Sequence, residues 1–246
     1  MLPIAGGVCV TCGERLFSPY AVADGHNRGE PQCGLCRRIE PVFARAAAYG
    51  SYESGLRELI HLLKFSGVRP AANILGRMLA EAIARLEPEF PAEGVAVVPV
   101  PLHRTKLRQR GFNQAELIAC AALKINPAPD RLRLYAGMLE RTRETASQIG
   151  LTSHQRRENL RGAFRVAQRE LVQGREVLVV DDVYTTGATV SECARVLRRA
   201  GATKVWVATV ARTLKISGQH VEIRPGEETD KSAGTEPVAL AKAVGI

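Results

Sequence analysis

Aromatic residues make up only 5% of this 246-residue chain, so any core it builds must be aliphatic. No apolar run approaches the roughly 20 residues of a membrane span, and no basic-then-apolar export segment opens the sequence. A cytoplasmic protein is expected. No G-x-x-x-x-G-K-[ST] loop occurs anywhere, which excludes a P-loop nucleotide site. Without an export signal, the six cysteines argue against a disulfide framework. What is present suffices for burial: hydrophobic residues are 46% of the chain, and its length suits one α/β domain plus a small appendage. Charge is unevenly placed. His103 to Arg175 holds 15 Lys and Arg against 6 Asp and Glu, which accounts for the whole net charge of +9. A basic middle of this kind suits a polyphosphate or a nucleic acid.

The most informative stretch runs from Val177 to Thr189. Val177-Leu178-Val179-Val180 reads as a buried strand, and Asp181 and Asp182 sit where it leaves its sheet. Val183 and Tyr184 lead into a tight Thr185-Thr186-Gly187-Ala188-Thr189 turn. Val190 to Arg199 reads as a helix with Val190, Ala194 and Leu197 on one face and Thr189 as a partial cap. Strand, turn and helix N-terminus converge unpaired amides on the positive end of a helix dipole, which makes an anion site. The carboxylates suit hydroxyl groups about one sugar's width away. Phosphate and diol together describe a ribose 5-phosphate. An apolar strand ending in two acids also fits a receiver-domain phospho-acceptor, but that reading leaves the Thr/Gly turn unexplained. Taken together, these residues resemble the phosphoribosyl-pyrophosphate (PRPP) motif of the type I phosphoribosyltransferases. The resemblance implies that Asp181, Asp182, Val183, Tyr184, Thr185, Thr186, Gly187, Ala188 and Thr189 bind PRPP.

Cys9-x-x-Cys12 and Cys33-x-x-Cys36 are two knuckles separated by 20 residues. Four thiolates so spaced can close a tetrahedral zinc site, with Gly13 and Gly34 letting the backbone turn round it. Metal binding would then supply folding free energy to a polar segment. His26 falls between the knuckles but outside a complete ligand set. Cys120 and Cys193 sit in apolar helical contexts and read as core residues.

Between these motifs, a strand is expected within Val42–Tyr49. A helix from Ser54 to Phe65 should bury Leu56, Leu59, Ile60 and Leu63, stop at Gly67, and place Lys64 against its own C-terminal dipole. A second helix after Pro70 should bury Ile74, Leu75, Met78, Leu79, Ala82 and Ile83. Val95 to Pro101 reads as a strand, its ladder ended by Pro99 and Pro101, entering a basic loop, with Asn113 capping a helix Gln114–Leu123. Leu132–Leu139 reads as a strand, and Glu140–Ser153, polar and without apolar period, as a loop long enough for a lid. Gln155–Leu160 reads as one or two helical turns, Ala163–Val166 and Lys204–Val210 as strands, and Trp206 as core.

Pro99-Val-Pro-Leu-His103, Arg110-Gly-Phe-Asn-Gln114 and the spaced run Arg141, Thr145, Gln148, Leu151, Arg156, Asn159, Ala163, Phe164 resemble the ComF/GntX family. This is a branch of the phosphoribosyltransferase-like proteins, and the likeness spans roughly residues 9–213. It implies an α/β type I phosphoribosyltransferase fold, a twisted, mostly parallel sheet flanked by helices, with a small N-terminal four-cysteine zinc module. The implied divisions are residues 1–40 (zinc module), 41–213 (phosphoribosyltransferase-like domain) and 214–246 (flexible tail). Leu102, His103 and Arg104 would form the pyrophosphate loop. Arg104, His103 and Arg141 are candidates for catalysis, with Arg143 as an alternative lid cation; no catalytic residue is fixed. Structural zinc on Cys9, Cys12, Cys33 and Cys36 and magnesium carried by PRPP are the implied cofactors. Glutamine-dependent amidotransfer is not expected, because the first cysteines are paired as metal ligands. The family resemblance links the chain to natural transformation. Its expected chemistry is displacement of pyrophosphate from PRPP by an acceptor that the sequence leaves open, as it does the number of copies that associate. The alternative is a non-catalytic factor that binds single-stranded DNA and uses PRPP as ligand or regulator. In that case the aromatics among the basic residues would be Phe112, Tyr135 and Phe164.

Overall fold

A computed structural model describes residues 4, 6–16, 30–144 and 152–214, apart from the side chains of residues 153, 154 and 157. His26, residues 145–151 of the expected lid and residues 215–246 of the expected tail lie outside the described residues. In chain order the strands are β1 (Arg45–Ser51), β2 (Val95–Pro99), β3 (Leu132–Leu134), β4 (Leu139–Arg141), β5 (Phe164–Val166), β6 (Glu176–Tyr184) and β7 (Lys204–Arg212). The helices are α1 (Gly34–Arg38), α2 (Ser54–Ser66), α3 (Ala71–Ala84), α4 (Arg104–Arg110), α5 (Gln114–Lys124), α6 (Ser153–Leu160) and α7 (Ala188–Arg199).

Five strands pair in parallel, in the order β1-β7-β6-β2-β3, while β4 and β5 form a separate antiparallel hairpin. Parallel strands buried on both faces must be apolar throughout, which is why Val177–Val180 and Val205–Val210 carry nearly unbroken aliphatic runs. Alternation along β6 sends Val177 and Val179 into one core layer and Leu178 and Val180 into the other. The second layer is covered by α2, α3 and α5, and the first by α6, α7, the hairpin and the cysteine knuckles. Trp206 lies in the second layer, 1% exposed, with its indole N–H donating to Glu176 at 2.7 Å. Among the described residues, no helix is long and apolar enough to cross a membrane.

Connections leave β2 and β6 in opposite directions. After β2 the chain covers one face through α5 and returns outward as β3; after β6 it covers the other face through α7 and returns as β7. Neighbouring strands whose crossovers part in this way leave a crevice at their C-terminal ends, where open α/β sheets place ligands.

Four local expectations are corrected. The stretch Leu132–Leu139 is two strands in different sheets, because Ala136 and Gly137 turn the chain after Tyr135 donates its last bond to Val97 at 2.8 Å. The basic loop after Leu102 is mostly helix α4, whose Arg, Lys, Leu and Gln are strong helix formers, closed by Gly111 at φ 76°. Ile74 stands at the edge of the apolar stripe of α3 and is 48% exposed. Thr189 lies inside α7; the cap position belongs to Gly187.

Helices α3 and α5 approach through Gly76, where an added Cβ would fall 2.5 Å from the Ala121 Cβ and 2.9 Å from the Ala122 nitrogen. Gly76→Ala should therefore destabilise the protein by about 1–3 kcal/mol through overpacking, although alanine favours a helix by about 1 kcal/mol. Thermal melting decides between the two; a raised midpoint would show that the helices separate without cost.

Candidate functional site

Strands β2 and β6 remain paired as far as Pro99 opposite Val180, with one further bond from the Val100 amide to the Val180 carbonyl at 2.8 Å. Pro101 has no N–H to continue the ladder, and the chain turns into α4. Residues Asp181 to Tyr184 then stay paired with β7 alone, so one flank of the acid pair faces the crevice. Asn113 fixes this exit. Its Nδ2 donates to the Val100 carbonyl and its Oδ1 accepts from the Ala115 amide, each at 3.1 Å, so one side chain caps α5 and holds the end of β2.

Asp181 and Asp182 are 9% and 3% exposed, and their carboxyl groups lie close enough to hydrogen-bond to each other. On one side, Lys64 reaches from the end of α2 to form an ion pair with the Asp182 carboxylate. This corrects its expected place over its own helix dipole: Lys64 follows Ile60 by one helical turn and lies on the buried stripe, where a cation requires a partner. Burial opposes ionisation of Asp182, but the Lys64 charge outweighs it and holds the carboxyl below its usual range. Burial likewise works against the Lys64 ammonium, and Asp182 then Asp181 raise it above its ordinary value. Asp181 has no such partner. Burial and the neighbouring charge of Asp182 push it well above the normal carboxylate range, while its Oδ1 accepts the Asp182 amide at 2.9 Å.

The turn after β6 is set by one glycine. Gly187 adopts φ 76° under the Tyr184 ring, and a Cβ there would lie 2.3 Å from the phenolic oxygen. Thr185 and Thr186 are exposed, and no described residue's backbone carbonyl accepts the amides of Thr185, Thr186 or Gly187. The first amides of α7 point the same way by construction of a helix. Arg156, on α6, donates to the Thr185 hydroxyl at 3.3 Å. Arg156 is visible in the sequence as a member of the spaced run, though nothing there gives it this neighbour.

On the other side of the crevice lies a cleft of 670 Å³ lined by Leu102, His103, Arg104, Arg108, Arg141 and Arg165 among others. All three catalytic candidates thus meet in one place; Asp181, Asp182 and the 185–189 turn do not line that cleft. The backbone of His103 bridges to that of Arg141, tying the hairpin to the loop after β2. The His103 Nδ1 accepts the Thr105 amide at 3.4 Å as the cap of α4, so the neutral ring carries its proton on Nε2. Arg143 is committed elsewhere, donating to the carbonyls of Asn159 at 2.8 Å and Arg161 at 3.1 Å.

The four cysteine sulfurs of Cys9, Cys12, Cys33 and Cys36 lie within 4.8 Å of one another. Cys12 and Cys33 are 3.7 Å apart, sulfur to sulfur, close to the edge of about 3.8 Å for a tetrahedron with Zn–S bonds near 2.3 Å. Gly13 at φ 71° lets the first knuckle close, its amide donating to the Cys9 carbonyl at 2.8 Å. An all-sulfur donor set of this size fits zinc. Cys193 is fully buried and Cys120 half-buried, both on helices.

Residues 136–231 match the family model of the phosphoribosyl transferase domain. The chain is 37% identical over 220 residues to the DNA utilization protein YhgH of Escherichia coli K12, covering 85% of this chain and 91% of that protein. It is 31% identical over 217 residues to competence protein F of Haemophilus influenzae, covering 84% and 90%, and 25% identical over 201 residues to competence protein ComFC of Bacillus subtilis, covering 80% and 74%. Among solved structures, the allosteric regulatory enzyme of purine biosynthesis aligns over 58% of this chain and 26% of its own at 26% identity, with a TM-score of 0.34. A phosphoribosyltransferase from Corynebacterium diphtheriae aligns over 65% and 90% at 19% identity, also with a TM-score of 0.34.

The raised Asp181 has a consequence for stability. A group that holds its proton more tightly when folded costs stability as pH rises above its unfolded value, near 4. Asp181→Asn removes that cost. The variant should be more stable than the parent at pH 7, by about 1–3 kcal/mol for a buried group lacking a partner, and the gain should vanish below about pH 4. Melting curves across pH check this; a variant less stable at pH 7 would mean that Asp181 is ionised and well paired.

Proposed function

The chain belongs to the ComF/GntX family of phosphoribosyltransferase-like proteins, and from that premise we propose that it binds magnesium-PRPP in the crevice between β2 and β6 and displaces pyrophosphate from it. The observation that carries this reading is the 185–189 turn. No described residue's backbone carbonyl takes the amides of Thr185, Thr186 or Gly187, and the turn follows the acid pair and accepts a hydrogen bond from Arg156. The 5-phosphate would sit on the amides of Thr185 to Thr189, with the Thr185 and Thr186 hydroxyls beside it. Asp182, kept ionised by Lys64, would accept from a ribose hydroxyl; Asp181 would take the other, losing its proton as the sugar enters. Leu102, His103, Arg104 and Arg141 would receive the pyrophosphate. Magnesium would be carried by PRPP and would neutralise the leaving group. Because the sugar becomes cation-like as the bond breaks, the residues act mainly by placement and charge: Arg104 and Arg141 stabilise the departing oxygens, and His103 can donate a hydrogen bond to them from Nε2. Zinc on the four cysteines would be structural.

Relatives named for DNA utilization and competence support a place in the handling of incoming DNA. A second reading, single-stranded DNA binding with PRPP as ligand, is favoured by the exposed Arg104, Lys106 and Arg108 along α4 and by exposed Arg165, which lines the same cleft as Arg104 and Arg108.

Titration calorimetry with magnesium-PRPP tests the pocket. Asp181→Asn/Asp182→Asn should weaken binding at least ~100-fold, given about 1.5–3 kcal/mol for each hydrogen bond to a charged group; unchanged affinity would sink the assignment. Pyrophosphate release over a panel of nitrogenous bases should identify an acceptor, whereas binding without release from any of them would leave the non-catalytic reading. Labelled single-stranded DNA should bind at 50 mM salt and weaken by orders of magnitude at about 200 mM. No binding at the lower concentration removes the second reading.

A further inference from the structure

The cysteine cluster packs against the C-terminal end of the sheet, beside the last residue of the strand that carries the phosphate turn. Arg212, the last residue of β7, stands in register with Tyr184 of β6 and Ser51 of β1, and it is only 4% exposed. One guanidinium nitrogen donates to the Cys12 carbonyl. The other donates to Glu14 at 2.9 Å and lies 3.8 Å from the Cys12 sulfur. The plane of the group sits over the Tyr184 ring, 4.3 Å from its centre. That ring is the floor beneath Gly187, and Phe43 closes its edge at 6.4 Å. The first knuckle is itself tied to β1, through the Ala46 amide to the Thr11 carbonyl at 2.7 Å and Arg45 Nε to the Val10 carbonyl at 3.0 Å. A packed path therefore runs from Cys12 through Arg212 and Tyr184 to the glycine that aims the 185–189 amides. None of its members is a cysteine facing the crevice.

We propose that Arg212 and Tyr184 are positioning residues that couple metal occupancy of the four cysteines to phosphate binding at the 185–189 turn. The inference rests on the PRPP reading of that turn. A metal ion would hold four sulfurs within bonding distance and so fix the Cys12 carbonyl and sulfur that Arg212 grips. Arg212 then presses the Tyr184 ring against Gly187, and the turn keeps the left-handed conformation its amides need. With the metal removed, four close thiols have no common partner, the knuckle loosens, and the ring loses its backing. Coupling between two binding sites is reciprocal, so PRPP must retain the metal as strongly as the metal favours PRPP.

Zinc release from the full metal-loaded chain to a zinc-selective chromogenic chelator, in excess magnesium, reads this directly. Saturating magnesium-PRPP should slow release by at least about 5-fold, the lower end of allosteric couplings. Arg212→Lys keeps the charge but not the two-armed grip; it should still bind zinc and PRPP, yet release zinc at one rate with or without PRPP. If the parent binds PRPP by calorimetry but releases zinc at the same rate in its presence, the coupling is refuted. Persistence of the slowing in Arg212→Lys would remove Arg212 from the path. If calorimetry shows no PRPP binding, the functional reading fails first and takes the coupling with it. The parent measurement needs no variant, so misfolding of Arg212→Lys cannot rescue the proposal.

Discussion

Strand β6 meets two opposed demands, and the rest of the molecule is arranged around them. For its first half it must be apolar on both faces, because helices cover each side of a parallel sheet. Beyond Val180 its pairing on the β2 side ends, and the next two residues are carboxylates. The change from a strand hydrogen-bonded on both edges to one bonded on a single edge creates the crevice, and the crossovers that part at β2 and β6 keep it from being filled by the chain. A phosphate turn at this point inherits a fixed floor from the sheet and a positive end from α7.

The acid pair is not symmetric. The two carboxyls lie side by side, but Asp182 alone takes the ion pair from α2, while Asp181 is near Cys193 and Arg141. Lys64 neutralises one of them, and the other stays under-compensated: the charge of Lys64 is felt there too, but burial and the charge of Asp182 outweigh it. A protein that only needed stability would have one acid fewer. Keeping a carboxyl without a cation of its own beside a crevice makes sense where a ligand supplies further hydrogen bonds, as sugar hydroxyls would.

Much of this was legible in the sequence because it depends on local pattern. Val177–Val180 followed by Asp181 and Asp182 announces a central strand and its end; Asn113 announces a cap; the two C-x-x-C knuckles announce a four-sulfur cluster. Long-range pairing left weaker traces. Lys64 on the apolar stripe of α2 and Arg212 closing a buried run in β7 both signalled a buried charge awaiting a partner, but neither named it, since the partners lie 118 and 198 residues away in the chain. Helix α4 was hidden by its function-like composition: a row of cations after a strand reads as an anion-binding loop even when its residues are good helix formers. The split at Leu132–Leu139 was hidden because β-propensity does not report which sheet a strand joins.

The distribution of rings and cations bears on what else the surface can hold. Base stacking needs exposed aromatic faces beside the cations. Of the aromatics set among the basic residues, Phe112 and Phe164 are 8% and 4% exposed and pack beneath Arg69 and Arg141 respectively, while Tyr135 is half-buried with Arg133 and Arg175 against its ring. Among the described residues Phe65 alone stands out, 72% exposed with Arg110 over its ring, next to the Lys64 that serves Asp182. A nucleic acid strand lying along α4 would then be held by its phosphates, with affinity that falls steeply with salt and little preference for sequence. The same cations line the cleft assigned to pyrophosphate, and Arg104 and Arg108 are common to both. A polyphosphate in that cleft and a nucleic-acid backbone along α4 would therefore draw on the same two arginines.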